Sequence, residues 1–239
     1  MSTTVVPGST YRYFDLVGMV FVAMLLMANT VGSKILQVGP LSLPGGILVF
    51  PITYIFGDVL TEVYGYSASR RIIWMGLFLL GVMSAVYALV GALPSAVFWT
   101  HQASYEAVLG QAPRIALASM VAYFAGEFSN SYVLAKMKVW THGRALWSRT
   151  IGSTVVGEGV DTVVFVLVAF VGTYRANELW VVIVSNYLVK VAYEVIATPF
   201  TYRVVAFLKN REGVDYFDHD TRFSPFVFGL KQGDDQTRH

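Results

Sequence analysis

Six long apolar runs divide the chain, at about Phe14 to Val38, Leu43 to Tyr64, Ile72 to Leu93, Ile115 to Ala135, Ile151 to Gly172 and Leu179 to Leu208. At 1.5 Å of rise per residue, each run can cross a hydrocarbon core of about 30 Å as a helix. Lipid offers no partner to backbone N–H and C=O groups, so a crossing segment must satisfy them internally. The ten-residue alternation of a membrane barrel is absent. The pattern predicts an all-α membrane protein of six transmembrane helices. It forms a single integral domain over residues 1–239, with 210–239 as a cytoplasmic tail. Between the third and fourth runs, the segment from Pro94 to Pro113 contains SAVFWTHQASYEAVLG, too apolar for a plain linker, and predicts a short helix on the membrane surface. The tail is polar except for RFSPFVFG, which suits an interfacial anchor.

Composition agrees with the pattern. Hydrophobic residues make up 55% of the 239 and charged residues 13%, with mean hydropathy +0.57; an average soluble domain carries about 25% charged residues. A water-soluble globule is not expected. There is no cysteine, which removes disulfides, zinc-thiolate centres and thiol nucleophiles. A net charge of +2 gives no reason to expect a nucleic-acid partner. The first apolar run has neither a basic lead-in nor a small-residue cleavage site, so a retained span is expected there.

Charge placement sets the orientation. Arg12, the pair Arg70 and Arg71, the group Lys136, Lys138, Arg144 and Arg149, and the group Arg203, Lys209, Arg211, Arg222, Lys231 and Arg238 all fall on one face; Arg114 and Arg175 fall on the other. The positive-inside rule then places both termini in the cytoplasm. Trp74, Trp99, Trp140, Trp147 and Trp180 all lie near run ends, where an aromatic belt belongs.

The candidate chemistry lies in the ionisable residues inside or at the edges of the runs: Lys34, Asp58, Glu62, Glu127, Glu158, Asp161, Lys190 and Glu194. Each costs a few kcal/mol to insert. Asp58 and Glu62 stand at i and i+4, with Tyr54 one turn before them. Glu158 and Asp161 stand at i and i+3, with Gly157 and Gly159 on either side of Glu158. Asn186, Lys190 and Glu194 form a stripe at i+4 steps, and Glu127 shares a face with Asn130 and Ser131. Asn29, Thr30, Ser33 and Lys34 give the first run a polar end. Such faces converge on a bundle interior, because lipid would leave them without partners. Six acids against two lysines require protonation, pairing or a cation. For Asp58 and Glu62 the plainer alternative is a capping or water-facing role. For Lys190 with Glu194 it is a structural ion pair, and for Lys34 it is snorkelling to the surface. No metal or cofactor site is indicated. Pro44, Gly45, Gly46 and Pro51 suggest that the second helix is broken, with free N–H groups. Gly57-Asp58 with Glu62 parallels Gly157-Glu158 with Asp161, the mark of two inverted three-helix repeats.

The stretches PGGILVFPITYIFGDVLTEVYGYSASRRIIWMG, GEFSNSYVLAKMKVWTHGRALWSRTIGSTVVGEGVDTVVF and YEVIATPFTYRVV resemble the queuosine precursor transporter family, also called the vitamin uptake transporter family. The resemblance runs from about Asn29 to Phe226. It implies a bacterial inner-membrane secondary transporter, not an enzyme, that imports 7-deazaguanine precursors of queuosine, the 7-cyano and 7-aminomethyl compounds. Proton coupling is a further expectation.

Such a base presents two adjacent donors that one carboxylate can accept, and a carbonyl that wants a donor. Glu127 or Glu158 suits the first role, and Asn29, Asn130 or Lys190 the second. Asp161 is a candidate for meeting an aminomethyl cation. Phe50, Tyr54, Tyr123, Tyr187 and Tyr193 are candidates for an aromatic slot. The expected substrate-binding set is Asn29, Asp58, Glu62, Glu127, Asn130, Glu158, Asp161, Lys190 and Glu194. Two other readings remain: a substrate-binding subunit of a multi-component vitamin importer, and an intramembrane two-carboxylate enzyme. Gly76, Gly81, Ser84 and Ala85 on the third span offer a surface for a homodimer.

Overall fold

The computed structural model describes residues 11–31, 34–38, 41–110, 113–170, 175–218, 221 and 223–226. Within them lie seven helices and one small hairpin. The helices are α1 (Phe14–Val31), α2 (Phe50–Tyr64), α3 (Tyr66–Ala92), α4 (Gln102–Leu109), α5 (Pro113–Trp140), α6 (Leu146–Phe170) and α7 (Ala176–Glu212). The strands β1 (Ile35–Val38) and β2 (Leu41–Pro44) pair antiparallel, Ile35 opposite Pro44 and Val38 opposite Leu41.

The hairpin corrects two expected boundaries within an otherwise all-helical architecture. The first run does not continue as helix to Val38, and the second helix does not begin at Leu43. Gly45–Leu48 forms a 3-10 turn ahead of α2, whose first turn holds Pro51. Proline suits that place because the N–H it lacks would have no partner in the helix. The expected broken second helix is thus a hairpin strand and a 3-10 turn followed by an uninterrupted α2. Among the described residues four helices, α1, α3, α6 and α7, are long and apolar enough to cross a membrane. At 15 residues, α2 spans only about 22 Å. In α5 the apolar sequence is interrupted by Glu127, Asn130, Ser131, Lys136 and Lys138.

Two devices fix the ends of these helices. Gly65 separates α2 from α3 with φ +86°, and the Tyr216 ring packs where a β-carbon would stand, so only glycine fits. Glu212, at the end of α7, accepts hydrogen bonds from the backbone N–H groups of Arg12 (2.9 Å) and Tyr13 (2.6 Å) and from the Tyr64 hydroxyl (3.1 Å). It supplies from a distance the carboxylate that the N-terminus of α1 favours.

The apolar core lies among α1, α2 and α3, where Phe21, Leu25, Val59, Leu60, Val63 and Ile73 are buried. Phe78, Leu89, Leu188 and Ile196 point outward, as expected where the surroundings are lipid. Gly76 is not on that outer surface: it packs against Leu25 and Phe21 of α1. α4 buries no residue and is held to α3 by the Tyr105 hydroxyl donating to the Tyr87 carbonyl at 3.3 Å.

α5 and α6 approach closely because small residues face each other. A β-carbon on Gly157 would lie 2.6 Å from Asn130 Cβ and 3.0 Å from the Gly126 carbonyl oxygen. Helix propensity favours Gly157→Ala by about 1 kcal/mol, but overpacking against backbone costs about 1–3 kcal/mol. G157A should therefore lower the thermal unfolding midpoint in detergent by a few degrees, and a rise would refute the close packing.

Beyond α7 the chain folds back along α3 and α5. The Tyr66 backbone N–H donates to both oxygens of Asp218 (3.0 and 3.3 Å), and the Tyr66 hydroxyl to the Phe223 carbonyl (3.0 Å). Arg70 donates to the Ser224 carbonyl and the Trp74 indole to that of Pro225, both at 2.8 Å. The Phe223 ring lies 4.2 Å from the Lys136 ammonium and 5.1 Å from the Tyr132 ring. RFSPFVFG thus anchors partly on the protein itself.

Candidate functional site

Along α2, Tyr54, Asp58 and Glu62 follow one another at intervals of one turn, and all three are buried. They mark two levels of a polar interior. At the level of Glu62, Arg149 donates through Nη1 (2.6 Å) and Nη2 (3.1 Å), and the Lys209 ammonium stands 2.6 Å away. Lys138 lies 3.6 Å from the same carboxylate and donates at 2.6 Å to the Glu62 carbonyl, to Asp215 and to the Tyr216 carbonyl. One acid of α2 thus joins α5, α6, α7 and the segment after α7. Burial pushes the Asp215 carboxyl up, but the hydrogen bonds from Lys138 and Lys209 outweigh it and hold the group below its ordinary value. The turn between α5 and α6 adds the Gly143 carbonyl as a further acceptor for Arg149, at 3.2 Å.

The second level lies one to two turns along α2. Asn130 donates to Asp58 at 2.7 Å. Lys190 reaches Asp161 at 2.6 Å and Glu158 at 2.8 Å, so α7 is bound to α6. Its ammonium also lies 4.5 Å from the centre of the Phe50 ring. Glu127 differs from these: it is fully buried, and neither carboxylate oxygen has a hydrogen-bond partner among the described residues. Gly57 faces it, and a β-carbon there would collide with Glu127 Oε1. Both oxygens of Glu194 are likewise unpartnered, as are Asp58 Oδ2, Asn130 Oδ1 and the hydroxyls of Tyr54 and Tyr123. These groups are near neighbours: Glu127 lies within electrostatic reach of Glu158, Asp161 and Glu194, and Asp58 of Glu194 and Glu127. Phe50 stands 5.6 Å from Tyr54 and 6.4 Å from Tyr123, ring centre to ring centre.

The structure brings together Asp58, Glu127, Asn130, Glu158, Asp161, Lys190 and Glu194. It pairs Lys190 with Glu158 and Asp161; Glu194 keeps its carboxylate oxygens unpartnered. Glu62 belongs to the neighbouring ion-pair hub. Asn29 stands apart: it donates to the Leu25 carbonyl of its own helix and lines a cavity of about 350 Å³ with Thr30, Ser84 and Tyr87, which none of the acids lines. The Lys34 side chain is exposed, while Ser33 lies outside the described residues. Among the aromatic candidates, Phe50, Tyr54 and Tyr123 border the acids. The Tyr187 hydroxyl donates to the Val155 carbonyl at 3.3 Å, and Tyr193 is half-buried on α7.

Sequence reasoning counted Lys138, Arg149 and Lys209 only as orienting cations and missed their convergence. A signal existed for one of them. Lys138 falls at i+11 from Glu127, three helical turns on, and so continues the face of Glu127, Ser131 and Leu134.

A buried group of acids and aromatic rings at the meeting of α2, α5, α6 and α7 suits the recognition of a small polar molecule more than it suits packing. Residues 44–204 match the sequence family described as "Putative vitamin uptake transporter". This chain belongs to the vitamin uptake transporter family. It is also 30% identical, over 186 residues, to the "Probable queuosine precursor transporter" of Bacillus subtilis (strain 168), an alignment covering 77% of this chain and 81% of that relative. No solved structure matches it. Membership makes the chain a multi-pass membrane transporter, in line with its four long apolar helices. The family match spans α2 to most of α7, and so contains the whole acidic cluster.

Proposed function

We propose that the protein is a bacterial inner-membrane secondary transporter importing 7-deazaguanine precursors of queuosine, with Glu127 as the group that reads the base. The observation that supports this most is the pair of buried, unpartnered Glu127 oxygens beside the rings of Phe50, Tyr54 and Tyr123. A guanine-like edge offers N1–H and an exocyclic amine side by side, and one carboxylate can accept both. Glu158 is less suited, because Lys190 already occupies it. Asn130 adjoins the cluster and serves the base carbonyl if its amide turns from Asp58. Glu194 and Asp58, which keep unpartnered oxygens, are the acids through which a coupled proton would pass.

In this reading the chain is one membrane domain crossed six times, with α2 and the hairpin before it making the second crossing. Both termini are cytoplasmic. The Glu62 hub then closes the cytoplasmic side and must part for release, as alternating access requires. Three crossings in each half would give the halves opposite orientations, as two inverted repeats require, and the enzyme reading is set aside.

Binding separates this proposal from other substrates. Purified protein should bind 7-cyano-7-deazaguanine at least tenfold more tightly than the analogue lacking the exocyclic amine, since a lost charge-assisted hydrogen bond costs about 1.5–3 kcal/mol. Equal affinity for the two compounds, measured by calorimetry in detergent, would remove Glu127 from the role.

A further inference from the structure

We propose that Glu158, Asp161 and Phe50 form a binding site for a primary ammonium group, that Lys190 is its tethered occupant, and that Lys190 thereby sets the preference between neutral and cationic substrates. The proposal rests on the functional reading above only in its last clause.

The geometry is that of an ammonium receptor. Lys190 Nζ lies 2.6 Å from Asp161 Oδ2, 2.8 Å from Glu158 Oε2 and 4.5 Å from the Phe50 ring centre. Two carboxylates and an aromatic face around one N⁺ combine a charge-assisted hydrogen bond to Asp161, an ion pair with Glu158 and a cation–π contact. A lysine that merely neutralised one buried acid would not need this arrangement. Glu158 and Asp161 leave their shared helix one turn apart, while Phe50 comes from the start of α2 and Lys190 from α7.

A second observation points from this site to a ligand. A β-carbon on Gly126 would lie 2.6 Å from both Asp161 Cβ and the Tyr54 hydroxyl. Tyr54 therefore borders Asp161, and its hydroxyl is fully buried with no partner among the described residues. Glu127, also unpartnered, is within electrostatic reach of both carboxylates of the site. The ammonium site thus adjoins the groups that would hold a flat heterocycle, and a substrate bearing a protonated aminomethyl arm could extend the arm into it. To do so it must displace Lys190, whereas a neutral cyano arm does not compete for the carboxylates. Lys190 therefore disfavours the cationic substrate relative to the neutral one.

Two measurements on the full chain in detergent test this. First, K190A removes the tethered ammonium and leaves the space of its stem. Methylammonium chloride should then raise the thermal midpoint of K190A with a saturable dose dependence, while sodium and tetramethylammonium chlorides should not. The wild type should show no such difference. Second, the ratio of affinities for the 7-aminomethyl over the 7-cyano compound should rise at least tenfold in K190A and stay within twofold of wild type in K190R. K190Q, which retains a hydrogen-bond donor for Asp161, reports the same ratio should K190A fold poorly.

Methylammonium acting no differently from sodium on K190A would overturn the ammonium site. An unchanged ratio in K190A and K190Q would overturn its role in selectivity. If the wild type binds neither deazaguanine, the substrate reading fails on its own, and the methylammonium comparison still decides the site.

Discussion

Glu62→Gln should cost about 3–5 kcal/mol of stability, the range found when one partner of a buried ion pair is removed. The loss comes from what remains. Arg149 is 1% exposed, and Glu62 is its carboxylate. With glutamine in place, a buried guanidinium loses its counter-charge and one of the two accepting oxygens, and keeps only an amide oxygen and the Gly143 carbonyl as neutral acceptors. Lys138 and Lys209 fare better, because Asp215 stays within 2.6 and 2.9 Å of them. The destabilisation should therefore be carried mainly by Arg149. In a protein of this size it should appear as a fall in thermal midpoint of about ten degrees, by the scaling of midpoint with stability. R149M should cause a similar fall, and the double variant should lose much less than the two added together. A shift in E62Q of under two degrees would show that the hub holds nothing together.

The second large effect concerns transport. Glu127→Gln keeps shape and volume but replaces one accepting oxygen with a donor that faces the donors of the base. Losing a charge-assisted bond and adding a repulsive contact should cost at least about 3 kcal/mol, or more than a hundredfold in affinity. Stability should hardly fall, because the Glu127 oxygens have no partner among the described residues to lose. The two variants thus separate the two levels of the interior: E62Q should destabilise the protein, and E127Q should disable it while leaving it folded.

Much of this was legible in the sequence because helices in lipid must be long, apolar and internally bonded. Each of the six runs contains a helix, and the i, i+3 and i, i+4 spacings placed Asp58, Glu127, Glu158 and Lys190 on inward faces. The hairpin escaped because averaging hydropathy over a run joins ILQV and LSLP to the helices on either side. The Gly39-Pro40 pair between two four-residue runs was the local turn signal; in the structure it lies outside the described residues. The helical face of Glu62 was read correctly, but periodicity does not say which distant cations meet an acid. Arg149 and Lys209 are 87 and 147 residues away from it, and no local spacing encodes such pairings. For the same reason, Asp161 looked free to receive a cation in the sequence, whereas in the fold Lys190 already sits on it.

The most direct test of the central claim is uptake of radiolabelled 7-cyano-7-deazaguanine into liposomes that contain only this protein, with and without an imposed proton gradient, comparing wild type with E127Q. The account predicts saturable uptake by the wild type, faster when the outside is acidic, and uptake by folded E127Q reduced more than a hundredfold. It is contradicted if E127Q transports at the wild-type rate. It is equally contradicted if the wild type binds the compound and never moves it, which is the behaviour of a binding subunit that needs other components.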